Sequence, residues 1–77
     1  MAHSDAAENL LHDIAAELVE KVREAKREAD ASGSDYDKGR HFALYEAVSL
    51  ISQQAKAFGF PLERIGLGAS DVDRELL

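Results

Sequence analysis

Apolar and small residues recur at Leu11, Ala15, Leu18, Val22, Ala25 and Ala29, and Leu10, Ile14 and Val19 widen this row toward its N-terminal half. Steps of four and three place such residues on one face of a helix turned toward a core. Ser4 or Asp5 is the expected N-cap, and Asp5-x-x-Glu8 has the spacing of a capping box with Asp in place of Ser or Thr. Gly33 in "DASGSD" suits the left-handed residue that closes a helix. The pattern predicts a first helix over residues 5–31.

A second pattern starts directly after "SGSD". Ser34, Asp35 or Asp37 can cap it, and the acidic groups favour the positive end of a helix dipole. Leu44, Val48, Ile51, Ala55 and Phe58 form its central stripe. Ala43, Ala47 and Leu50 extend the stripe on one side, and His41 and Tyr45 flank the other. At about 100° per residue these positions cover roughly 200° of the circumference, twice a minimal core-facing stripe. "FGFP" ends the segment, with Gly59 closing and Pro61 unable to continue. The predicted second helix covers residues 36–58. A short helical turn over 61–65 is expected next, opened by Pro61 and closed by Gly66. Within the 66–77 tail, Ser70 offers a cap for one more turn.

These helices would be about 40 Å and 35 Å long, and a short loop between matched helices makes an antiparallel hairpin. The expected class is therefore all-α: a two-helix hairpin with a short C-terminal helical turn, in a single domain. The apolar arc of the second helix exceeds what the first can cover, because the first tapers to Ala25 and Ala29. The segment around Leu62, Ile65 and Leu67 is too short to cover the rest alone. Pairing two hairpins into a four-helix bundle would bury both stripes, and symmetric dimers are the commonest oligomers. The expected interface comprises Leu11, Leu18 and Val22 of the first helix with Leu44, Ala47, Val48, Ile51, Ala55 and Phe58 of the second.

Composition narrows the function classes. At 77 residues a single core is marginal, and with no cysteine there is no disulfide or thiolate metal site to reinforce it. The 45% hydrophobic content includes 13 alanines, so little of it is bulky. Fifteen acidic against nine basic residues give a net charge of −6, which disfavours nucleic acid and anionic membranes as partners. "KVREAKR" interleaves its bases with glutamates and reads as a solvated face. The N-terminus lacks the basic-then-apolar pattern of a secretory signal, so a cytoplasmic location is expected.

Candidate chemistry is sparse. Glu8-x-x-x-His12 and Asp37-x-x-x-His41 each place a carboxylate and an imidazole on one helix face, the ligand types of a metal-binding bundle. In one hairpin, however, His12 and His41 would stand roughly 20 Å apart along the axis, so a shared ion needs a dimer. Tyr45 shares a face with His41, whereas Glu46 points elsewhere. Gln54 falls near the apolar arc, where a polar side chain can fix helix register. Arg40 lies in the same arc and needs an acidic partner, with Glu24 and Glu28 at the right height. Gly39, in the first turns of the second helix, reads as tolerance near a helix end, or as a close helix approach.

No phosphate-binding glycine loop and no nucleophile–base constellation is present. The sequence thus predicts a small acidic non-enzymatic interaction module, an adaptor or regulator, acting as a homodimer on an unidentified protein partner and without a cofactor. The alternatives are a dimeric metal-binding bundle using Glu8, His12, Asp37 and His41, or a structural subunit of a hetero-complex.

Overall fold

A computed structural model of the chain describes residues 2–68, 76 and 77, with side chains from Ala6 onward. Two helices, α1 (Ala2–Ser32) and α2 (Asp35–Ala57), form an antiparallel hairpin, followed by a short 3-10 helix (Leu62–Ile65). The molecule is a rod of 47 × 19 × 17 Å. Its radius of gyration of 13.6 Å exceeds the roughly 11.5 Å of a globule of this length. A rod has much surface for little interior.

The connection between the helices rests on local chemistry. Gly33 adopts a positive φ of 66°, and its N–H donates to the Ala29 carbonyl at 2.8 Å. Ser34 caps α2, its hydroxyl accepting from the Asp37 N–H at 3.1 Å. The Ser32 hydroxyl donates in turn to the Asp37 carboxylate. At the far end of α2, Gly59 takes a φ of 69°, and the Phe60 N–H returns to the Ala55 carbonyl at 2.8 Å. This is the left-handed closure that "FGFP" predicts. Gly66, at φ 79°, closes the 3-10 helix in the same way.

Several expectations change. α1 begins at Ala2, three residues early, so Ser4 and Asp5 lie inside the helix and not at its N-cap. Glu8 turns instead toward Arg64, with Oε1 3.4 Å from Nε. The space around Gly39 is open, which supports tolerance near a helix end and not a close approach. The further turn expected at Ser70 lies outside the described residues.

The core is narrow. Ala15, Val22, Val48, Ile65, Leu67 and Leu76 are buried together, with Leu18, Val19, Leu44, Tyr45, Ile51, Ala55, Phe60 and Leu62 packed half-buried around them. Ala25 and Ala29 are also buried, and their small side chains let the helices approach closely toward the loop. On α2 the fully buried positions are Val48 and Ser52. With Val48 at its centre, the buried stripe is turned by about 40° from the expected one, toward His41 and Tyr45. Ser52 is the polar position that the apolar pattern passes over. Phe58, placed at the centre of the expected stripe, is 83% exposed, and Leu11 is exposed as well.

Candidate functional site

The two broad faces of the hairpin differ, and helical phase shows how. With Val22 and Val48 as the centres of the two buried stripes, Leu10, Ile14, Lys21 and Glu28 fall about 80–120° to one side on α1. Arg40, Ala47 and Gln54 of α2, with its C-cap residue Phe58, fall about 80–120° to the same-signed side. In an antiparallel pair the same-signed sides of both helices lie on one face. The salt bridge from Arg40 Nη1 to Glu28 Oε1, 3.0 Å across the helices, shows this directly.

The opposite face is covered by the C-terminal segment. A cleft there brings His12, Val19 and Arg23 of α1 together with Gly66, Leu67 and Leu76. The carbonyl of Leu76 lies 2.6 Å from Nε2 of His41, so both helices hold this segment. Leu67 and Leu76 are each only 2% exposed. Pro61 onward therefore packs on the hairpin in its described parts and completes one side of the core.

Among the described residues, Phe60 and Ile65 border the other face and leave most of it open. Leu10, Leu11, Ile14, Leu50 and Phe58 are all exposed there or at its rim. They cluster at the end of the rod away from the loop. An apolar groove of about 390 Å³ runs between Leu11, Leu50, Ile51, Gln54, Ala55, Phe58, Phe60 and Ile65. Among the described residues lining it, Gln54 is the one polar side chain, which is where a polar group selects a partner's register. Toward the loop the same face becomes polar, carrying Lys21, Glu24 and the Glu28–Arg40 pair. Tyr36 is exposed at that end, and Phe42 is exposed on the outer surface of α2, where its ring lies 6.2 Å from that of Tyr45.

The surface area reflects the shape of the molecule. A compact monomer of 8.4 kDa exposes about 4,600 Å², whereas this chain exposes 5310 Å². The surplus of about 700 Å² is the extra surface of a rod of 47 × 19 × 17 Å.

Of the residues expected at an interface, Val22 and Val48 are buried within the hairpin itself, and Leu18, Leu44, Ala47, Ile51 and Ala55 are half-buried. Leu11, Phe58 and the groove edges of Ile51 and Ala55 are what remains presented outward. Leu10, Ile14 and Leu50 join them as exposed residues outside the expected set. Their signal was present in the sequence as the widened stripe of α1 and the flank of α2.

The four candidate metal ligands are not brought together in one chain. Glu8 pairs with Arg64, Asp37 accepts from Ser32, and His41 meets the Leu76 carbonyl. The exposed His12 instead stands beside Gly66. Among the described residues, no cluster of three or more His, Cys, Asp or Glu side chains can hold an ion. Among them, too, no buried side-chain nitrogen or oxygen lacks a hydrogen-bond partner, and no helix is long and apolar enough to cross a membrane.

Compared with known protein families, with curated proteins and with solved structures, the chain matches none.

Proposed function

We propose that the chain is a non-enzymatic interaction module that works as a homodimer through the face that the described residues of its C-terminal segment leave bare. The observation that carries this reading is the asymmetry of the two faces. One is closed by Leu67 and Leu76, and the other keeps Leu10, Leu11, Ile14 and Phe58 in solvent beside a groove. Monomeric proteins seldom expose a contiguous apolar patch of this kind without using it. Joining two hairpins across it gives a four-helix bundle, the arrangement in which paired helical hairpins bury their remaining stripes. The outer surfaces of such a dimer are charged and would carry any adaptor or regulatory contact with a further protein.

The test is a pair of substitutions that charge the bare face and leave the buried core intact, Ile14→Glu and Phe58→Glu. The reading expects a helical wild-type dimer and a helical monomeric variant, from circular dichroism together with light-scattering mass. Equal masses for the two proteins would refute it.

A further inference from the structure

Resting on that dimeric reading, we infer that the two copies pack in register, with the two-fold axis parallel to the helices and both loops at the same end. Height along the rod decides between this arrangement and its alternative. At 1.5 Å per residue from the loop, Glu28 and Arg40 stand about 8–9 Å up the bare face, Ile14 about 28 Å, and Leu10 and Phe58 about 35 Å. The large apolar groups thus occupy the far half of the face, and the ion pair occupies the near half.

Rotation about an axis parallel to the helices lays α1 of each copy over α2 of the other at equal height. Leu10 and Ile14 then meet Phe58 and Gln54 of the second copy, apolar end on apolar end. Near the loops, Glu28 of each copy lies over Arg40 of the other. The two intrachain pairs, each 3.0 Å long, become a ring of four charges of alternating sign. Between these zones Lys21 and Glu24 lie over Ala47 and Ala43, whose small side chains leave room for long polar stems to reach water.

Rotation about the perpendicular axis in the interface plane lays α1 on α1 and α2 on α2, end for end. With full overlap, that places Leu10 at the height of Glu28 and Phe58 at the height of Arg40. Each charge would then lose water to an apolar neighbour and receive no opposite charge in return, which is unfavourable. The one-ended distribution of apolar residues and the position of the Glu28–Arg40 pair therefore select the same arrangement.

The chain has no cysteine, so a single Ala31→Cys substitution, at an exposed site next to the loop, carries one nitroxide per copy. Double electron–electron resonance on the full-length protein reads the distance between the two loops. In-register packing predicts about 30 Å or less, from helix spacings of 8–10 Å plus the label arms. End-for-end packing predicts about 40 Å or more. A dimer with the long distance overturns the register while leaving the dimer standing. A protein with no dipolar signal and monomeric mass overturns the dimeric reading itself. As a second readout, Arg40→Glu should weaken the dimer at least about tenfold through like-charge contact, and the swap Glu28→Arg with Arg40→Glu should restore it. A swap that stays as weak as Arg40→Glu would also count against the register.

Discussion

The carbonyl of Leu76 sits 2.6 Å from Nε2 of His41, tying residues 35 positions apart in sequence. Leu76 is buried beside Ile65, Leu67, Val22 and Val48, so this contact holds the C-terminal segment over one face of the hairpin. The face it leaves bare is the one assigned to partner binding. Removing the imidazole in His41→Ala should cost about 1 kcal/mol. Leu76→Ala should cost about 2 kcal/mol or more, for a buried leucine in a small core. Urea denaturation of both variants measures this, and values near zero would mean that the segment does not close the core.

Val48 of α2 and Phe58, the C-cap residue of that helix, sit ten residues apart but serve different surfaces. Val48 is fully buried and Phe58 is 83% exposed. Val48→Ala is expected to lower the stability of the fold by about 2 kcal/mol. Phe58→Ala is expected to leave the stability of an isolated hairpin within about 0.5 kcal/mol while weakening self-association. Denaturation of the two variants in an Ile14→Glu background separates folding from association.

The glycines make opposite predictions. Gly33 has a φ of 66°, where a side chain is strained, so Gly33→Ala should destabilise by about 1 kcal/mol. Gly39 lies in a helix with open space around it, so Gly39→Ala should stabilise by about 0.5–1 kcal/mol. Thermal melts of the two variants should move in opposite directions.

The Glu28–Arg40 bridge joins side chains that are 52% and 35% exposed. Within a single chain, such a pair contributes under about 1 kcal/mol. A double-mutant cycle to alanine in the monomeric background should give a coupling of that size. A larger coupling in the unmodified background would reflect the additional contact of each charge with the second copy.

The local grammar of this chain is legible without coordinates. Gly33, Ser34 and Gly59 announce the loop and the end of α2, because a left-handed φ and a side-chain cap have few sequence solutions. Height along the hairpin also brings Glu24 and Glu28 within reach of Arg40, and the structure pairs it with Glu28. The N-terminal limit of α1 does not, because Ala2 through Glu8 offers both helix formers and caps, and the helix simply continues through the caps. Ser52 was hidden because a small hydroxyl in a narrow core counts as polar in any hydrophobic pattern. The centre of α2's buried stripe was misplaced for a different reason. An apolar arc of roughly 200° has no unique centre, and the choice depended on Leu76, a residue remote in sequence that covers the His41–Tyr45 side.

That same choice determines the functional reading, since covering one flank leaves Leu10, Ile14 and Phe58 on the other. Sedimentation equilibrium of the full chain over a wide concentration range tests it most directly. The account predicts a mass of twice 8.4 kDa, falling to the monomer only on dilution. A folded monomer at every concentration would contradict it, and the bare face would then belong to a different protein.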